Sequence, residues 1–196
     1  MSLKPALPDL LLEIRACTLC AEQLPLGPRP IVQASATARI LIIGQAPGTA
    51  VHASGVPWDD PSGDRLREWT SIDRDAFYDP ARIALMPMGF CYPGKVAGAG
   101  DAPPRPECAP TWHARLLAEV PAIGLTLLVG QYAQAAYARA KAESLTDRVQ
   151  QQRDAAEGIL SLPHPSWRST GWMRRNPWFE TDILPLLRAR VTDALA

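Results

Sequence analysis

The chain has 196 residues, and its 20 lysines and arginines balance 20 aspartates and glutamates, for a formal net charge of zero. That length suits one domain with a real buried core, while the neutral balance and a pI near 6.8 exclude a globally basic nucleic-acid binder. The amino terminus, MSLKPALPDLLLEIRAC, is too polar and too acidic for a signal peptide, and no apolar run approaches the ~20 residues that span a bilayer. The expectation is therefore a soluble, cytoplasmic, monomeric protein in which any polyanion-binding surface is a local patch.

Twenty prolines and thirteen glycines punctuate the whole sequence rather than forming a linker, so residues 1–196 read as a single domain with shaped loops. In chain order, Ile40–Ile43 is continuously apolar and mostly β-branched, as a parallel strand covered on both faces would be. It stops abruptly in Gly44-Gln45-Ala46-Pro47-Gly48, a stiff turn of two glycines, a proline and one carboxamide. A helix is predicted over Ser62–Thr70, a strand over Ile83–Met86, a helix over Pro106–Glu119 and a strand over Leu125–Val129. A long helix then covers Gln131–Asp154, a strand covers Gly158–Leu162, and a last helix near Phe179–Val191 must kink or start late at Pro185. Strands alternating with helices predict an α/β sandwich with a parallel sheet. Ligands gather beyond the carboxyl ends of such strands, which places Gly44–Gly48, Pro87–Pro93 and Pro163–Ser166 around one site.

The four cysteines are Cys17, Cys20, Cys91 and Cys108, spaced C-x2-C and, seventy residues on, C-x16-C. A close pair plus two distant single cysteines fits a four-thiolate metal site closed by folding, and both zinc and iron–sulfur clusters accept such ligands. The plainer alternative is no metal, with a helix end carrying incidental thiols and two small core fillers. Near the carboxyl terminus, LSLPHPSWRSTGWMRRNPW presents His164 on a proline-stiffened loop, followed by Trp167, Arg168, Trp172, Arg174, Arg175 and Trp178. Guanidinium groups meet phosphates and indoles stack on or wedge between bases, so Ser166, Trp167, Arg168, Arg174 and Arg175 are candidate nucleic-acid contacts. The competing role for the tryptophans is to bury the last helix. His52, placed in a loop, and His113, on a helix face, read as structural.

The order GQAPG, GVPW, C-x16-C, LPHPS resembles the uracil-DNA glycosylase superfamily, from Cys17 to about Pro177, and looks most similar to its families 4 and 5. In family 4 a GEAPG motif precedes G-x-P-F at the spacing that separates Gly44–Gly48 from Gly55-Val56-Pro57-Trp58 here. The resemblance implies a three-layer α/β/α sandwich around a central four-stranded parallel sheet, and a DNA partner. It implies hydrolysis of the N-glycosidic bond of a flipped-out uracil or other deaminated or damaged base. It also implies a [4Fe-4S] cluster on Cys17, Cys20, Cys91 and Cys108. Trp58 stands in the position of the stacking phenylalanine, His164 would stabilise the departing base anion, and Gly44, Gln45, Ala46, Pro47 and Gly48 would fix the base and neighbouring phosphates. Trp167 and Arg168 would press into the duplex.

Two departures accompany the match. Gln45 replaces the family 4 glutamate, and a carboxamide can hydrogen-bond a base or water but cannot act as a base. Family 5 also lacks that carboxylate and has D-x-S-G-D after its aromatic residue, as in Asp60-Pro61-Ser62-Gly63-Asp64. Asp60 is thus the candidate for steadying the cationic sugar and orienting water, with Asp59 second; a helix cap at Asp60 is the competing role. The asparagine that reads the uracil edge is absent from Ala84-Leu85-Met86-Pro87-Met88-Gly89-Phe90-Cys91, leaving Met86 and Pro87 as pocket lining. An apolar lining cannot supply hydrogen-bond discrimination. The catalytic set is then Asp60, His164 and Gln45. The alternative is a non-catalytic DNA- or nucleobase-binding relative whose metal site is structural or redox-active.

Overall fold

The computed structural model describes residues 6–98, 100–139, 144–152 and 155–196. In chain order the elements are α1 (Leu7–Arg15), β1 (Ile40–Ile43), α2 (Thr49–Ser54), α3 (Pro61–Thr70), α4 (Arg74–Tyr78) and β2 (Ile83–Leu85). A short hairpin follows, β3 (Lys95–Val96) and β4 (Gly100–Asp101), then α5 (Cys108–Leu117), β5 (Leu125–Val129), α6 (Gln131–Tyr137) and α7 (Leu145–Gln151). The chain closes with β6 (Ile159–Leu162), α8 (Ser169–Arg175) and α9 (Leu184–Leu195).

Strands β2-β1-β5-β6 form one parallel sheet in that order, with Ile40 opposite both Ile83 and Leu125, and Thr126 opposite Ile159. The period-2 alternation of a strand divides its side chains between two cores. Leu41, Ile43, Ala84, Met86 and Leu128 pack on Leu10 and Ile14 of α1, Trp112 and Leu116 of α5, and Ala133 of α6. Ile40, Ile42, Ile83, Leu85, Leu127 and Leu160 pack on Leu66 and Trp69 of α3, Phe77 of α4, Val149 of α7, and Leu187 and Val191 of α9. Helices therefore cover both faces, which is why β1 shows no polar alternation and is buried throughout. The free edge of β2 is blunted by Gln33, whose backbone exchanges hydrogen bonds with Leu85 at 3.0 and 2.7 Å.

The four expected strands are present to within one residue. The expected helix Gln131–Asp154 is instead two helices. α6 ends at Ala138, whose backbone is extended, and α7 begins anew at Ser144, which caps Asp147 N–H at 3.1 Å. Residues 140–143 and 153–154 of that expected helix lie outside the described residues. Near the carboxyl terminus the late start occurs: a wide i→i+5 turn over Phe179–Ile183 leads into α9, and Pro185 sits in the first turn, where its missing N–H costs nothing. His52, expected in a loop, lies in α2.

Order 2-1-5-6 reverses direction of build between β1 and β5. At that switch point two crossovers leave in opposite directions and open a crevice beyond the strand ends. Among the described residues no helix is long and apolar enough to cross a membrane.

Candidate active site

A cleft of about 740 Å³ opens at this crevice, lined among others by Gly44–Gly48 after β1, Pro87 after β2, Gln131 and Tyr132 at the start of α6, and His164 after β6. Its other walls include the Trp58–Ser62 segment entering α3, the β3–β4 hairpin with Lys95, Val96 and Asp101, and Ser166–Arg168 after His164.

Trp58 is set by two close approaches. Its backbone lies in the left-handed region at φ 57°, a conformation of order 1 kcal/mol unfavourable for a non-glycine residue. Its carbonyl oxygen lies where a side chain on Gly63 would begin, 1.7 Å from the position of an added Cβ. Only glycine at position 63 lets α3 start there. The indole in turn lies against Gly44, where an added Cβ would meet Cζ2 at 2.7 Å. The result is a half-buried ring at the end of β1, with its centroid 6.0 Å from the His164 ring and the planes 30° apart.

Asp60 has both of its expected roles open to it. Oδ1 accepts the Gly63 N–H at 2.8 Å and caps α3, with Pro61 following in the first turn. Oδ2 approaches Gly48, 3.9 Å from the position of an added Cβ. Asp59 is paired instead with Arg74, 3.1 Å away.

His164 is fixed from behind. Its carbonyl accepts the Ser169 hydroxyl, Arg65 of α3 donates to Ser166 O at 2.8 Å, and buried Gln134 donates to Leu162 O at 2.8 Å. Burial pushes the imidazole below the usual histidine range, partly offset by the Asp60 and Asp101 carboxylates. The ring is therefore neutral near pH 7, an N–H donor that does not carry charge. Trp167, 76% exposed, and Arg168 stand at the cleft mouth, the guanidinium 5.6 Å from the indole centroid.

Three expected site residues lie elsewhere. Met86 follows β2 with its side chain in the core against α1 and α5, 1% exposed, because strand alternation turns it away from the cleft that Pro87 lines. Arg174 and Arg175 are exposed at the end of α8 and do not line the cleft. Gln45 does line it, but its amide is engaged: Nε2 donates to Ala102 O at 3.0 Å, so that N–H is turned to the protein's own backbone. Asp101, Gln131, Tyr132 and Arg65 are additions that no motif marks. Asp101 sits in a glycine-rich stretch with no periodic signal, and only the hairpin's fold over the cleft brings it in. His113 is buried between Pro87 O, 3.1 Å from Nε2, and the Tyr137 hydroxyl, 2.6 Å from Nδ1, and thereby braces the Pro87 wall from behind.

On the α1–α5 side, Cys17, Cys20, Cys91 and Cys108 line one small pocket, all as free thiols. Phe90 N–H donates to Cys108 Sγ at 3.3 Å. Burial and the neighbouring thiols push Cys91 up to about 11 and Cys108 up to about 12. No three His, Cys, Asp or Glu side chains among the described residues are drawn together tightly enough to grip a single ion. The donor set is soft, uniform and supplied with a backbone N–H donor, which fits thiolate-bound metal.

A family model described as the uracil DNA glycosylase superfamily matches residues 32–188, well over half of the chain.

Proposed function

The chain belongs to the uracil DNA glycosylase superfamily, and from that membership and the cleft we propose that it is a DNA repair glycosylase, hydrolysing the N-glycosidic bond of a flipped-out deaminated or otherwise damaged base. The observation that carries this reading is the convergence of Trp58 and Asp60, from the segment entering α3, with His164, from the loop after β6, on one cleft at the switch point of the sheet.

Breaking the bond between sugar C1′ and the base nitrogen leaves positive charge on the sugar and negative charge on the base. The base would stack on Trp58, whose indole is held by the Gly44 and Gly63 contacts. Neutral His164 would donate a hydrogen bond to the base as its negative charge grows, a stabilisation worth more in the transition state than in the bound substrate. Asp60, oriented by its bond to Gly63, would set a fixed negative charge beside the sugar cation. Trp167 would enter the gap left by the flipped nucleotide, with Arg168 and Ser166 on the phosphates. With Met86 turned into the core and no asparagine beside it, readout of the base edge falls to backbone groups and to Gln131 and Tyr132, a looser set than strict uracil recognition requires.

The four cysteines fit an iron–sulfur cluster of the family 4 and 5 kind, in which each iron is held by one thiolate. Cys17, Cys20, Cys91 and Cys108 would hold it. When bound it would supply a covalent tie between the segment after α1, the loop after β2 and the start of α5.

The test is base release from oligonucleotides carrying uracil, hypoxanthine, xanthine or mismatched thymine, single- and double-stranded, with His164→Ala alongside. Release by the wild type and loss by at least a hundredfold in the variant is expected. DNA binding with no base released would favour a non-catalytic relative instead.

A further inference from the structure

The hairpin β3–β4 is built between two of the cysteines and folds across the cleft. Its closing bond runs from Ala102 N–H to Gly94 O at 2.8 Å, and Lys95 stands opposite Asp101 in its register. Asp101 Oδ2 approaches Gly48, 3.4 Å from the position of an added Cβ; Asp60 Oδ2 approaches the same point. Two carboxylates from different walls therefore bracket one spot on the Gly44–Gly48 turn. The residue beside Asp101, Ala102, is where the Gln45 amide is anchored. A carboxamide can donate to a carbonyl; a carboxylate has no hydrogen to give and would set lone pair against lone pair. Gln45 is thus the side chain that this contact requires.

Resting on the glycosylase reading, we propose that Asp101 is a second catalytic carboxylate, the acceptor of the proton from attacking water, and that Gln45 is the positioning residue that holds it over the cleft. The two acids divide two tasks. Asp60 has one oxygen committed to capping α3, which fixes its direction and suits a standing charge beside the sugar cation. Asp101 belongs to no helix and comes from the opposing hairpin. In the step, the C1′–N bond breaks and its electron pair leaves on the base, which His164 hydrogen-bonds. The water oxygen bonds to C1′, and its proton passes to Asp101, to be delivered afterwards to solvent or to the base anion.

The experiment compares the full chain with Asp101→Asn, Gln45→Met and Gln45→Glu in single-turnover base release on whichever oligonucleotide the wild type cuts. Asp101→Asn should lower the rate about a hundredfold with DNA affinity within threefold. Gln45→Met and Gln45→Glu should both cost roughly tenfold and should both speed amide exchange in residues 95–102, the glutamate failing as the methionine does. A readout independent of turnover is the His164 titration by NMR. The charged groups around that ring are Asp60 and Asp101, with Lys95 and Arg168 on the same cleft. Losing Asp101, or releasing its hairpin, should make His164 harder to protonate. Asp101→Asn within threefold of wild type would overturn the catalytic role. Unchanged exchange and titration in both Gln45 variants would overturn the positioning role. If the wild type releases no base at all, the glycosylase reading and the catalytic role fall together, while exchange and titration still decide whether Gln45 holds Asp101 in place.

Discussion

At Gly63 an added methyl would stand 1.7 Å from the Trp58 carbonyl oxygen, whereas at Gly44 it would meet the Trp58 indole at 2.7 Å. The first neighbour is backbone and cannot swing aside; the second is the end of a side chain that can. Gly63→Ala should therefore cost about 3 kcal/mol in urea unfolding, at the upper end for overpacking. Gly44→Ala should cost less than about 1.5 kcal/mol but should displace the indole and reduce base release more than stability. Asp60 allows a cleaner separation. Asparagine caps a helix as well as aspartate does, so Asp60→Asn should hold stability within about 0.5 kcal/mol while lowering base release by two orders of magnitude or more. Asp60→Ala should lose the cap as well, about 1 kcal/mol. If Asp60→Asn leaves the rate unchanged, Asp60 is a cap and nothing more. The cap and the aromatic position were legible in D-x-S-G-D and GVPW, but the left-handed backbone at Trp58 was not, because it arises from a contact across two turns.

Among elements, α3 does more than cover the sheet. Arg65 on its second turn reaches the loop after β6, donating to Ser166 O at 2.8 Å and to Thr170 Oγ1 at 3.4 Å. Arg65→Met keeps most of the apolar stem and removes those donors. It should cost about 1 kcal/mol in stability and slow base release roughly tenfold, because His164 and Trp167 ride on the loop it steadies. A measured rate equal to wild type would show that the loop is held by Ser169 and Gln134 alone. The long helix expected over Gln131–Asp154 divides because periodicity alone cannot see where a capping serine starts a new helix, as Ser144 does.

For the whole molecule, buried His113 and half-buried His164 set a pH window. His113 donates Nε2–H to Pro87 O and accepts the Tyr137 hydroxyl at Nδ1, so the folded state holds it neutral, and burial lowers it to about 4. His164 is lowered in the same direction, also chiefly by burial. In the unfolded chain both return to about 6.5. Between pH 6.5 and 4 the unfolded chain binds more protons, so stability is full above about 6.5 and falls as the pH is lowered toward 4. For His113 the loss is about 3 kcal/mol in order of magnitude. Denaturation midpoints between pH 7.5 and 4.5 check this, and His113→Gln should flatten the slope. The cysteine pocket acts at the same scale. Cys91 and Cys108 flank the segment that carries the hairpin, so removal of the proposed cluster should speed amide exchange across residues 92–107 as well as lowering stability. Protein prepared without oxygen should be brown and contain iron and sulfide. A colourless zinc protein would keep the four-cysteine site and overturn the cluster.

The sequence by itself determined the layered α/β fold, since β-branched runs with no polar alternation must be covered on both faces. It also determined which turns end at the ligand side, and it marked Trp58, Asp60 and His164 as an aligned set. Only the tertiary structure decided which neighbours those residues have. Met86 leaves the cleft because the face a residue takes depends on register and strand end, and Arg174 and Arg175 lie exposed at the far end of α8, beyond the Ser166–Arg168 stretch that lines it. Gln45 turns its amide to Ala102, and Asp101 arrives on a hairpin of glycines and small residues. Backbone contacts between distant segments leave no period in the sequence, and the division of acids in this cleft is made from such contacts.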